Sequence, residues 1–158
     1  MMPAPSILAI DPGSRESAWL ILAEETPTAF GIDANEVLIE QFRTRLLSAD
    51  DAVIEWMAPR GMPTSAEEFE TLYWVGRFVE ALYPQEVARL ERGKIKLHLC
   101  GSRAAKDANV RATLIDRFGG IGGKAEAVGT VKRPGPLHGV ANDVWAALAV
   151  AVTWYDLR

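Results

Sequence analysis

A chain of 158 residues, 49% hydrophobic and 24% charged, can fill one core but is too short for two ordinary domains. A single cysteine, Cys100, excludes an internal disulfide and a cysteine-built metal site, and a net charge of −4 is not that of a uniformly basic DNA-coating protein. No apolar run reaches the roughly 18 residues that cross a bilayer, and no basic segment precedes the first apolar one. One domain spanning residues 1–158, with no membrane segment and no signal peptide, is therefore expected in the cytoplasm.

The first element is the apolar run Ser6 to Ile10, patterned as a strand buried on both faces. It ends at Asp11, where Pro12 and Gly13 bend the chain. Ser17 to Ala23 predicts a second strand. The stretch T-P-T-A-F-G-I-D-A-N, residues 26–35, reads as an irregular connection, and V-L-I-E-Q-F-R, residues 37–43, as a third strand near an edge. Short links between these three suggest an antiparallel meander. A helical turn is expected over residues 44–49. A-V-I-E-W-M, residues 52–57, follows as a fourth strand that carries Glu55 inside an apolar run.

Pro59, Gly61 and Pro63 then break the chain. Thr64 with Glu67, and Ser65 with Glu68, offer two capping-box registers for a helix whose stripe runs through Phe69, Leu72, Trp74, Val75, Phe78, Val79 and Leu82. Pro84 reads as the start of a continuation that ends before Gly93. Residues 95–100 alternate apolar and basic, as in a fifth strand with one wet face, and His98 on it reads as structural. Asp107 reads as the cap of a helix that runs to about Phe118, which Gly119 and Gly120 terminate. A loop leads to Pro136, and Asn142 or Asp143 starts a very apolar last helix.

Three acids stand where acids are not expected: Asp11 at a strand end, Glu55 within a strand, and Asp143 at the head of an apolar helix. A buried, unpaired carboxylate costs several kcal/mol. Singly, Asp11 suits a turn and Asp143 a helix cap, but Glu55 between Ile54 and Trp56 has no such reading. If the first and fourth strands are neighbours and the last helix crosses them, the three acids share one pocket. Hard oxygen ligands at that density select Mg²⁺ or Mn²⁺, and two such ions can drive phosphodiester hydrolysis.

I-D-P-G-S near the N terminus, V-I-E-W in the middle, D-A-N-V-R-A-T-L-I-D-R-F-G later and P-G-P-L-H-G-V-A-N-D-V-W-A-A-L-A-V-A near the end resemble the RuvC family of Holliday junction resolvases, in particular its small phage-encoded branch. The resemblance spans essentially the whole chain. It implies an α/β, ribonuclease H-like fold with a mixed five-stranded sheet flanked by helices. It also implies a homodimeric, Mg²⁺-dependent endonuclease that nicks four-way DNA junctions in pairs, with Asp11, Glu55 and Asp143 as its acidic residues. The family's further ligand, one helical turn before the last aspartate, falls here on Val140. Asn142 is then a candidate oxygen donor. His138 is a candidate ligand or proton donor to the leaving group, or else a loop histidine.

Between Gly93 and Arg133, nine lysines and arginines stand against three acids. Arg15, just past the turn after Asp11, and Arg103, Lys106, Lys124, Lys132 and Arg133 within the basic region are candidate phosphate contacts, each equally readable as a solvated surface charge. Met62 and Tyr73 are candidate wedges at a junction centre, and Trp74 and Phe78 belong to the core or to a dimer face. Alternative readings are a nuclease of the same fold acting on flaps, forks or RNA–DNA hybrids, a junction binder that does not cut, and an actin- or sugar-kinase-like ATP-binding protein.

Overall fold

Strand β1 (Ile7–Asp11) is apolar on both sides because it runs through the middle of a sheet with helices on each face. The computed structural model describes residues 2–158. Five strands lie in the order β3-β2-β1-β4-β5, where β2 is Glu16–Ala23, β3 Thr26–Ala34, β4 Asp51–Trp56 and β5 Val87–Glu91. β1, β2 and β3 form the antiparallel meander, while β4 joins β1 in parallel and β5 joins β4 in parallel. The sheet is therefore mixed, five-stranded and flanked by helices, as expected from the sequence.

Period-2 alternation sorts the strand residues between two cores. Leu8, Ile10, Ala52 and Ile54 face α1 (Asn35–Arg43) and α2 (Ala66–Leu82), where the Phe42 and Phe78 rings meet edge to face at 5.5 Å. Ile7, Ala9, Val53 and Leu90 face the other layer: α3 (Arg92–Cys100), α4 (Asp107–Gly119), α5 (Gly123–Ala127) and α6 (Val144–Leu157). α6 is apolar nearly all round because it is buried against the sheet, with Leu148, Val150 and Ala151 fully inaccessible.

Two strand assignments are corrected, although the number of strands stands. Residues 26–34 form edge strand β3 rather than a connection. Pro27 is tolerated because β3 pairs on one side only, and Gly31 lies under the Trp19 ring, where a Cβ would make a tight contact at 3.3 Å. Residues 37–43 belong to helix α1, which buries Asn35, Leu38, Ile39 and Phe42 at helical spacing and leaves Val37 exposed. After it, residues 44–49 make a turn rather than helix. Arg45 sits there at φ +61°, donating to the carbonyls of Phe42, Leu82 and Tyr83.

The second correction follows α2. Its start is as read from Ser65, whose hydroxyl accepts from the Glu68 N–H while the Glu68 carboxylate accepts from the Ser65 N–H, each at 3.1 Å. It stops at Leu82, and residues 87–91 are strand β5 rather than continued helix. Residues 95–100 then lie in helix α3, not in a strand. Ile95 and Leu99 meet the core four residues apart, Leu97 is exposed, and Gly101 ends the helix at φ +75°. α4 spans Asp107–Gly119, so Asp107 is its first residue rather than its cap, and Lys106 stands at the N-cap.

The helical assignment of residues 37–43 separates two outcomes. Phe42→Ala should cost about 3–5 kcal/mol in denaturant unfolding, and Val37→Lys should stay within about 0.5 kcal/mol. A strand would bury Val37 with Ile39 and make the lysine strongly destabilising.

Candidate active site

The parallel register of β1 and β4 pairs Ala9 with Val53 and Ile10 with Ile54, so Asp11 and Glu55 are the next residues at adjacent carboxyl ends. By alternation both point to the α6 layer. The N terminus of α6 arrives over the same spot with Asp143, which is the N-cap by position but makes no side-chain capping bond. Asp11, Glu55, Asn142 and Asp143 thus line one cleft of about 260 Å³. Crevices at the carboxyl ends of parallel strands are where α/β sheets commonly bind ligands.

The bend after Asp11 is fastened by residues that sequence reading did not single out. The Gly13 N–H donates to Ser17 Oγ at 3.0 Å, the Ser17 hydroxyl donates to Asn35 Oδ1 at 2.7 Å, and Asn35 Nδ2 returns to the Gly13 carbonyl at 2.9 Å. Asn35 is fully buried, so this loop of bonds is shielded from water. A Cβ at Gly13 would lie 2.2 Å from the Glu16 carbonyl oxygen, so no other residue fits. A buried asparagine just after an apolar strand was the available signal, hidden by the reading of residues 26–35 as loop.

Glu55 is buried and bound by Arg92, whose Nε lies 2.8 Å from Oε1 and Nη2 3.4 Å from Oε2. Hydrogen bonding to Glu55 raises the Arg92 pKa further above its usual value. Burial, then hydrogen bonding to Glu55, then the charges of Glu55 and Asp143 push the Asp11 carboxyl up to about 9, and Arg92 offsets this only in part. Asp11 therefore holds a proton at neutral pH unless a further cation arrives. Among the described residues, no three Asp, Glu, His or Cys side chains are gathered tightly enough to hold an ion as they stand. The donor set nonetheless fits a hard divalent ion, since the Asp11, Glu55 and Asp143 carboxylates and the Asn142 amide line one cleft.

Cations cluster on the cleft walls. Lys96, one turn along α3 from Arg92, and Arg111, whose guanidinium lies 5.3 Å from the centre of the Trp145 ring, line the cleft beside Asp107. A second cleft of about 660 Å³ adjoins it, sharing Glu55, Arg92 and Lys96 and adding Arg60 and Arg103. Arg103 is thus brought to the site. Arg15, Lys106, Lys124, Lys132 and Arg133 are exposed but line neither cleft. Lys132 and Arg133 sit on a tight loop rather than a free arm, closed by the bridge between Gly129 and Pro134. There Gly135 is obligatory because a Cβ would lie 2.3 Å from the Glu126 carbonyl oxygen.

His138 also lies outside both clefts; its Nδ1 is 3.3 Å from the Val128 carbonyl oxygen within the same loop. His98 is structural as expected, 2.8 Å from the Asp156 carboxylate, which also takes a two-pronged bond from Arg117. Arg92 was missed because its position depends on β5: Leu90 pairs with Glu55, which brings the next residue of that face beside the carboxylate.

Because the folded-state pKa of Asp11 lies above its ordinary 3.8, the stability this group contributes is complete below about pH 4 and is lost as pH rises toward 9. Asp11→Asn removes that titration. In chelator at pH 8 the variant should be about 1–3 kcal/mol more stable than the native chain, with the gap closing toward pH 4, and Mg²⁺ should raise the melting temperature of the native chain alone. A variant no more stable at pH 8 would refute the strained carboxyl.

Comparison with known proteins yields no matching family model and no curated sequence relative. Among solved structures, Thermus thermophilus RuvC aligns over 94% of this chain and 92% of its own, with a TM-score of 0.60 and 15% identity. T. thermophilus RuvC in complex with a Holliday junction substrate aligns over the same shares, with a TM-score of 0.61 and 17% identity. At such identity the likeness is one of fold, and the chain has the ribonuclease H-like fold in its RuvC-like form.

Proposed function

We propose that this chain is a divalent-metal-dependent endodeoxyribonuclease that cuts branched DNA, with four-way junctions as its substrate. The observation that carries the reading is the convergence of Asp11, Glu55 and Asp143, from β1, β4 and α6, at one cleft between basic walls. The similarity in fold to a RuvC solved with a Holliday junction substrate supports the choice of DNA.

Asp11, Glu55 and Asp143, with the Asn142 amide oxygen at the rim, would hold Mg²⁺ or Mn²⁺. Such ions polarise a phosphate oxygen and activate water for attack on phosphorus. The protein does the rest by charge and position. Asp11 releases its proton on loading, Lys96 and Arg111 meet the backbone phosphates entering the cleft, and Arg103 and Arg60 extend the positive wall along the larger one. Arg15, Lys106, Lys124, Lys132 and Arg133 are exposed cations for more distant duplex arms. His138, held to its own loop, has at most a supporting part.

Two coordinated nicks require two sites, and α2 offers a face for a second copy. Phe69, Leu72, Gly76, Val79 and Tyr83 follow a 3-4-3-4 spacing; Phe69, Tyr73 and Tyr83 are 63%, 57% and 73% exposed, and nothing lies within 4 Å of the Cβ position of Gly76. A glycine in the middle of a helix costs about 1 kcal/mol against alanine. Close approach of a partner helix gives that position a purpose, and the apolar stripe is that of a paired helix. Trp74 and Phe78 point inward to the core instead.

The purified protein should nick a synthetic four-way junction symmetrically in Mg²⁺ and be silent in chelator. Asp11→Asn, Glu55→Gln and Asp143→Asn should each lower the rate by about 100-fold or more, whereas His138→Ala should change it by less than about threefold. Preferential cutting of flaps, forks or RNA–DNA hybrids would move the reading to those substrates. Binding without cutting under any divalent ion, or ATP hydrolysis, would overturn it. In sedimentation the native chain should be a dimer and a Phe69→Glu, Tyr73→Glu double variant a monomer; a native monomer even with junction DNA would remove the two-site scheme.

A further inference from the structure

Arg92 has no part in the chemistry just described, yet among the described residues it is the cation that forms an ion pair with Glu55. Its fork covers both carboxylate oxygens. The partners are unequal: the Glu55 side chain is 10% exposed and that of Arg92 61%. An exposed guanidinium is rehydrated when it leaves a pair, but a buried carboxylate left without a cation carries the full desolvation penalty. An incoming divalent ion that takes Glu55 therefore replaces Arg92 and repels it, and the arginine is the partner that moves.

Where it would move is set by its place in the fold. Arg92 is the first residue of α3 and lines both clefts at their shared wall, with Lys96 one turn on and Arg103 in the larger cleft. A planar guanidinium fork matches phosphate as well as it matches carboxylate. Resting on the nuclease reading, we infer that Arg92 is an internal counter-ion which a divalent metal displaces from Glu55, and that the freed guanidinium then binds a DNA phosphate. Metal and DNA each take one half of the Arg92–Glu55 pair, so each favours the other's binding, and the coupling is reciprocal. Arg92 is on this account a positioning residue, which delays assembly of the metal site until substrate is at hand.

The test uses the full chain, Arg92→Gln and Arg92→Lys, with folding checked by thermal melts. Calorimetry with Mg²⁺ in the absence of DNA should show Arg92→Gln binding about five- to tenfold more tightly than the native protein, because the competitor is gone. Fluorescence anisotropy with a labelled four-way junction should show equal affinities, within about twofold, in chelator, where Arg92 is engaged by Glu55. With Ca²⁺, and strands verified intact, Arg92→Gln should bind the junction about fivefold or more weakly than the native chain. Arg92→Lys, charged but without the fork, should fall between, and it carries the test if the glutamine variant does not fold. A metal affinity that is unchanged or weaker, or a DNA defect of equal size with and without Ca²⁺, would overturn the inference while leaving the nuclease reading intact. Absence of any Mg²⁺ binding that depends on Asp11 would overturn the nuclease reading itself.

Discussion

The parallel pairing of β1 with β4 is the constraint from which the rest of the site follows. It sets two acids side by side at adjacent strand ends, on the face already covered by α6. Two like charges there, partly withdrawn from water, cannot both stand ionised without help. Two forms of help are open to the protein: a guanidinium is laid on Glu55, and burial with the Glu55 hydrogen bond pushes the Asp11 carboxyl up to about 9, which favours its protonated form. A divalent cation at this place would compete with both, so on the proposed reading the cation-free arrangement and a metal-loading site are two states of one balance of charge.

Holding two acids in that place requires a backbone that cannot relax away from it. The buried Ser17–Asn35–Gly13 bonds tie the turn after Asp11 to the first residue of α1, across the β2–β3 hairpin. The edge strand lies on the opposite side of β1 from β4, and α1 on the sheet face away from α6, yet they set the direction in which the acid leaves the sheet. β5 and α3 do the same from the other flank by delivering Arg92 and Lys96. Every element of the sheet thus contributes to the site, although only two strands place an acid in it.

The site acids were legible in the sequence because each broke a local rule: an acid at the end of a buried strand, an acid inside one, an acid heading an apolar helix. Violations of pattern survive errors in element assignment. Residues 37–43 and 95–100 read as strands because short apolar runs fit both periods: Val37, Leu38 and Ile39 make a continuous apolar run, and Ile95, Leu97 and Leu99 alternate with Lys96 and His98. Residues 26–34 were hidden for the opposite reason. Pro27 and Gly31 look like loop punctuation, whereas one is permitted by an unpaired edge and the other lies close under the Trp19 ring. His138 drew notice as one of two histidines, a scarcity that says nothing about direction; the structure turns it to its own loop.

What the sequence alone determined, then, was the set of groups with no cheap local explanation, together with an α/β pattern of five strands and a terminal buried helix. These are properties of burial and charge, which depend on residue type and spacing within a segment. What only the tertiary structure decided was which segments supply the third and fifth strands, that Asp143 leaves its helix end uncapped, and that Arg92 lies on Glu55. Those depend on contacts between residues tens of positions apart, where strand register and helix placement fix the partners and no local periodicity records them.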